Sequence, residues 1–204
     1  MTAKTDTVRL KITLDDVKPA IMRRVVVPVG IRLDRLHAVM QATMGWTNSH
    51  LWEFRFGETG FGPRDPDGGF GDGPLDASKA TLLGVLEDTG VKTFTYLYDF
   101  GDGWEHAIKA ERILDGMPGF EVPFLLEAKG RCPPEDTGGP WGYMEFLDAI
   151  KDPAHERHDE FAEWHDTDFD PAAADVKHIE AELSALAKRW TRKPTKPKIK
   201  TPKP

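Results

Sequence analysis

The chain has 204 residues, 39% of them hydrophobic, with 11 Phe and 6 Trp, which supplies a core and excludes wholesale disorder. No apolar run approaches the roughly 18 residues of a membrane span, the N-terminus lacks a signal-peptide core, and a lone cysteine, Cys132, excludes an internal disulfide, so a cytoplasmic protein is expected. The net charge of −7 conceals six basic residues and no acid within 191–204; without them 21 basic residues face 34 acids, and a body at −13 disfavours a broad nucleic-acid surface.

Val8, Leu10, Ile12 and Leu14 alternate with Arg9, Lys11 and Thr13, which predicts a half-buried strand over 8–14. A turn over 15–19 leads to a second strand over 21–27, closed by Pro28 and Gly30. Leu33, Leu36, Val39, Met40 and Met44 recur at helical spacing, with Gly45 where a C-terminal cap belongs. Trp52, Phe54 and Phe56 give a third strand, and the glycine-rich stretch 57–73 reads as a long exposed loop. A short helix over 82–86 ends at Gly90, and 93–99 with 104–114 form the arms of a hairpin. An apolar segment, 122–126, precedes a Gly/Pro loop over 129–140, and helices follow over 141–151, 154–165 and 171–190. The expected fold is α+β: one compact domain over 8–190, with a mixed or antiparallel sheet of N-terminal strands and a central hairpin, and C-terminal helices packed on it. Residues 1–7 read as a flexible N-terminus and the Lys/Pro-rich 191–204 as a disordered tail.

Keeping the aromatics of the hairpin on one face pairs Tyr98 with His106, Phe100 with Trp104, Tyr96 with Ile108 and Phe94 with Ala110. The loop is then Gly101-Asp102-Gly103, with Gly103 supplying positive φ. That register sets Asp99 opposite Glu105, with Asp102 at the tip, at a cost of a few tenths to about 1 kcal/mol. Solvent, an internal Arg23, Arg24 or Arg55, a divalent metal or a basic partner can offset it. Asp99, Asp102, Glu105 and Glu135 are therefore the candidate metal ligands, and Trp104, His106, Asp136, His37 and His50 complete a candidate ligand surface. Glu135 or Asp136 capping the helix that begins near Trp141 is the structural alternative.

Other patterns are weaker. His155, His158 and Asp159 share a helical spacing but read as a solvated face. Asp166, Asp168 and Asp170 begin like a calcium loop, yet Pro171 stands where its glycine belongs. Gly69-Phe-Gly71 does not lie between a strand and a helix, so it is no phosphate loop. Cys132 lacks an activating neighbour.

Several segments together resemble one family: Lys18-Pro-Ala-Ile-Met-Arg-Arg-Val25, Leu36-His37 with Met44-Gly-Trp46, His50-Leu-Trp-Glu-Phe54, Tyr98-Asp-Phe-Gly-Asp-Gly-Trp-Glu-His106, Cys132-Pro-Pro-Glu-Asp-Thr-Gly-Gly139 with Gly142-Tyr143, and Asp152-Pro-Ala-His155. In this order they are similar to the plasmid pRiA4b ORF-3-like family, over about 8–183. The resemblance implies a compact α+β domain and a history on plasmids, near mobile elements and on bacterial chromosomes; it brings no catalytic residue or cofactor. A resolvase-like role lacks its chemistry, because no arginine cluster accompanies Ser49, Ser78, Ser184 or any tyrosine. The leading expectation is a non-catalytic binding module whose loops 57–76, 99–106 and 129–140 form one acidic surface for a basic partner or a divalent cation, with weak nucleic-acid contact through the tail. The alternative is a metal-dependent hydrolase built on the same carboxylates and a histidine.

Overall fold

The computed structural model describes residues 6–64, 73–115, 121–164 and 168–191. Its strands are β1 (Thr7–Leu14), β2 (Ile21–Pro28), β3 (Trp52–Phe56), β4 (Thr59–Gly62), β5 (Leu75–Asp76), β6 (Thr93–Tyr98), β7 (Trp104–Leu114) and β8 (Phe124–Lys129). Its helices are α1 (Leu33–Met44), α2 (Leu82–Thr89), α3 (Gly139–Lys151), α4 (His158–Trp164) and α5 (Val176–Thr191). The strands form one sheet in the order β5-β4-β3-β6-β7-β1-β2-β8, antiparallel throughout except for the parallel β4–β5 pair. The fold is α+β, and no described helix is long and apolar enough to cross a membrane.

Period-two alternation divides the sheet into two faces. Leu10, Ile12 and Leu14 of β1, Phe94, Tyr96 and Tyr98 of β6, and Trp104 and Ile108 of β7 are buried on the face that packs against the helices. The opposite face carries charge, and there the signs are paired: Arg9 and Arg24 both meet Glu111, at 2.7 and 3.0 Å, and Arg24 also meets Glu127. α1 ends at Gly45, whose φ of 81° continues the chain left-handed while its N–H donates to Gln41 O.

Several expectations are corrected. The stretch after β3 is not a loop throughout: Gly57, at φ 61°, turns the chain so that Thr59 pairs with Phe56, and Phe61 is buried with its ring 5.9 Å from that of Phe56. α4 begins at His158 because Asp152 first closes a turn by accepting from Ala154 N. α5 begins at Val176 because Asp175, accepting from His178 N, caps it there. Gly69-Phe-Gly71, Asp166 and the tail beyond Thr191 lie outside the described residues.

The hairpin register differs by two residues. Tyr98 pairs with Trp104, Tyr96 with His106, Phe94 with Ile108 and Leu97 with Glu105. Both registers keep the same side chains on the same face, so alternation alone cannot separate them. The turn decides. Asp99 takes φ 55°, its carbonyl accepts from Gly103 N at 2.7 Å, and its carboxylate accepts from Gly101 N at 3.0 Å and Asp102 N at 3.3 Å. A five-residue loop results, 99–103, with Phe100 half-exposed in it rather than opposite Trp104. Asp99 therefore does not face Glu105.

Candidate functional site

Three segments meet at the hairpin end of the sheet: 45–51 after α1, the turn 99–103, and the loop 131–139 before α3. Backbone bonds set the first contact, Asp99 N donating to Leu51 O at 2.9 Å. The third segment is anchored by Trp46, whose indole N–H donates to Pro133 O at 3.0 Å. Gly138 N donates to Asp102 Oδ2 at 3.1 Å, tying the start of α3 to the hairpin tip. This close approach explains Gly139. At φ 70°, an added Cβ would sit 2.2 Å from the Asp102 carbonyl oxygen.

Glu135 is the main cross-tie. One oxygen accepts from the Tyr98 hydroxyl at 2.5 Å, and the other accepts from Thr47 N at 2.9 Å and the Thr47 hydroxyl at 2.5 Å. Tyr98 in turn accepts from Ser49 N at 3.0 Å. Burial, reinforced by the carboxylate beside it, pushes the Tyr98 phenol well above its ordinary pKa, so it stays a donor. The capping alternative is not realised: α3 begins after Gly138 with no side-chain cap.

His50 lies between two carboxylates. Its Nδ1 is 3.3 Å from Asp99 Oδ2 and its Nε2 is 3.2 Å from Asp136 Oδ1. The Nε2 contact has ion-pair distance without hydrogen-bond direction, although that nitrogen is shielded from water. Asp136 holds φ 61°, a conformation that suits a short Asp, and its side chain is 68% exposed. One ligand-type atom from each of His50, Asp99 and Asp136 falls within 4.8 Å of the others.

Behind this surface lies a neutral polar network. His37 stacks on Trp52 at 4.1 Å and 7°. Its Nε2 donates to Asn48 Oδ1 at 2.5 Å, which leaves Nδ1 to accept from the Tyr96 hydroxyl at 2.7 Å. Gln41 Nε2 donates to the same hydroxyl at 3.0 Å, and Asn48 N donates to Gln41 Oε1 at 2.9 Å. Burial lowers the pKa of His37 to about 4. His106 is fully buried; its Nδ1 donates to Tyr96 O and Trp104 O, each at 3.1 Å, and burial takes its pKa to about 4 as well.

Of the residues singled out in the sequence, Asp99, His50 and Asp136 converge. Asp102 and Glu135 lie in the same three segments but are engaged as ties. His37, His106 and Trp104 form the buried layer beneath. Glu105 is exposed, and its backbone carbonyl accepts from Asp15 N. Arg55 pairs with Glu53 and Arg24 with Glu111, so neither is the counter-ion of Asp99. The described part of 57–76 forms β4 and β5 at the sheet edge. His158 Nδ1 donates to Ala149 O at 2.8 Å, and His155 Nδ1 accepts from Arg157 N at 3.2 Å, so both serve local structure. Sequence reasoning missed Thr47 and Tyr98 as partners of Glu135, because nothing local joins residues so far apart in the chain. It also missed Asn48, for which the polar run Thr47-Asn48-Ser49 directly after Trp46 was the available signal.

A family model described as plasmid pRiA4b ORF-3-like protein matches residues 6–178. The chain is 59% identical over 187 residues to "Uncharacterized protein y4hQ" of Sinorhizobium fredii, covering 91% of this chain and 95% of that protein. A crystal structure of a protein of unknown function, MM3350 from Methanosarcina mazei Go1, superposes with a TM-score of 0.75 at 34% identity, covering 85% of this chain and 97% of that one.

Proposed function

The chain belongs to the plasmid pRiA4b ORF-3-like family, and within it we propose that this protein is a cytoplasmic, non-catalytic binding module whose hairpin-end face takes a divalent cation between His50, Asp99 and Asp136. The observation that carries this is the meeting of one imidazole and two carboxylates, from three separate segments, within 4.8 Å. An imidazole with two carboxylate oxygens suits borderline and hard first-row ions such as Zn²⁺ and Mn²⁺. Three protein ligands leave positions open for water or a partner's group. A metal-dependent hydrolase would use the same ion and needs a base for its water as well; Glu135 has both oxygens engaged by Tyr98 and Thr47, which favours binding over hydrolysis.

Titrating metal-free protein with Zn²⁺, Mn²⁺ and Mg²⁺, by calorimetry and thermal melting, tests the reading. One equivalent of at least one ion should bind, and at about 100-fold excess over Kd it should add about 2.7 kcal/mol of stability. His50→Ala should abolish that gain. No shift with any ion, or a shift that survives His50→Ala, removes the proposal.

A second reading is favoured by a separate observation. The three segments and the first turn of α3 expose large apolar side chains: Trp141 is 90% exposed, Leu51 61% and Phe100 51%. Beside Asp136 and Asp102 they fit a basic polypeptide segment with apolar anchors. Binding of an oligoarginine–tryptophan peptide should weaken in the Trp141→Ala/Phe100→Ala double variant; equal affinity removes this reading.

A further inference from the structure

On the other side of loop 131–136, β2 drives a guanidinium into the core. Ile21, Arg23 and Val25 occupy the covered phase of the strand, and Arg23 is only 1% exposed. Its Nε donates to Thr43 O at 2.8 Å, and its Nη1 donates to Met22 O at 2.9 Å and Lys129 O at 2.8 Å. Nη2 makes no hydrogen bond among the described residues, and no described carboxylate pairs with this side chain. A buried charge ordinarily has a counter-charge. Thr43 sits in the last turn of α1, so the negative end of that helix offsets part of the charge, on the order of half a unit. Cys132 lies close enough to feel Arg23, but burial raises its pKa and keeps it a neutral thiol.

Arg23 borders a cavity of about 350 Å³ that Arg131, Trp46 and Phe169 also line. The Arg131 guanidinium lies over the Phe169 ring, 4.6 Å from its centroid, and has no ion pair among the described residues. Two acids reach the same cavity: Glu135, whose oxygens accept from Tyr98 and Thr47, and Asp175, one oxygen of which accepts from His178 N; neither pairs with Arg23 or Arg131 among the described residues. The cavity therefore offers aromatic walls and two guanidinium groups that form no ion pair among the described residues.

We propose that this cavity binds a small organic anion, its carboxylate taken by Arg23 Nη2 and Arg131 and its apolar body held against Trp46 and Phe169. Guanidinium forks suit carboxylates, and a mixed wall of this kind selects a ligand with one charged end. The site is distinct from the cation site, and the two stand or fall separately.

Benzoate is the probe, with neutral benzamide and inorganic phosphate as controls, and the Trp46 indole N–H resonance (assigned with Trp46→Phe) as the local reporter. Benzoate should shift that resonance saturably at millimolar concentrations and benzamide should not. Arg23 lies too deep for a clean test, so Arg131→Ala, checked for folding by circular dichroism, is the test variant; it should weaken benzoate at least about tenfold, as loss of a charge-assisted hydrogen bond implies. His50→Ala should leave benzoate binding unchanged. No saturable shift, equal response to benzamide, or unaltered binding by Arg131→Ala overturns the proposal. Phosphate binding as tightly as benzoate overturns the role of the aromatic wall.

Discussion

Loop 131–136 divides two regions that carry charge of opposite sign and hold it in the same manner. On the hairpin side, Glu135, Asp99 and Asp102 are held mainly by neutral donors: a phenol, hydroxyl and backbone N–H groups, with His50 the one basic side chain among the described residues within ion-pair range of Asp99. On the cavity side, Arg23 is held by three neutral carbonyls and a helix end. The open face of the sheet does the reverse, since Arg9, Arg24, Glu111 and Glu127 cancel one another directly. Dipoles satisfy hydrogen-bond geometry without neutralising charge. Each of the two regions therefore keeps charged groups that a ligand of the opposite sign can complete, whereas those four side chains of the open face complete one another.

The largest effect should come from acid. His37 and His106 are the basic groups that this layer holds neutral, with pKa values moved from 6.5 to about 4. The unfolded chain takes up these protons as pH falls through about 6.5, and the folded chain only near 4, so stability is present above that window and lost within it. Each group contributes a slope of about 1.4 kcal/mol per pH unit in the steep part. Urea midpoints measured from about pH 7 down to about pH 4.5 should fall steeply, and His37→Asn should remove about half of the histidine slope. A flat profile would mean that these histidines are not held neutral, and the contrast with Arg23 would collapse.

Next in size is Arg23→Met. Three carbonyls lose their donor, at roughly 1–3 kcal/mol for each that water cannot reach, while an uncompensated charge leaves the core. A net loss of about 3 kcal/mol in urea unfolding is expected. A stabilised Arg23→Met would show that the burial cost of the charge outweighs its bonds, which sharpens the case for an anionic ligand of the adjoining cavity. On the hairpin side the matching change is Gly139→Ala, which combines a strained φ with a backbone collision at Asp102 and should cost about 1–3 kcal/mol.

These residues differ in how far the sequence betrays them. β1 and α1 follow from periodicity, and Gly45 from its place after the last apolar position. The hairpin register does not, because two registers two residues apart share every inward side chain and only the conformation of Asp99 separates them. Arg23 was legible as a charged residue at an inward position between Ile21 and Val25, although its carbonyl partners come from α1 and β8. The meeting of His50, Asp99 and Asp136 depends on three segments brought together by long-range ties. Residue types could nominate its members, but only the fold could select them from among Asp102, Glu105 and Glu135.

The smallest effect should be Asp136→Asn. The side chain is 68% exposed and its contact with His50 lacks hydrogen-bond direction, so the pair contributes less than about 1 kcal/mol. A near-neutral change in stability is expected in the absence of metal. If the carboxylate serves the fold, the variant should lose stability equally with and without Zn²⁺ or Mn²⁺. If it serves a ligand, the variant should match the wild type alone and fall behind only when the ion is added. The difference between those two melting shifts, rather than either shift alone, distinguishes a surface ion pair from a binding site.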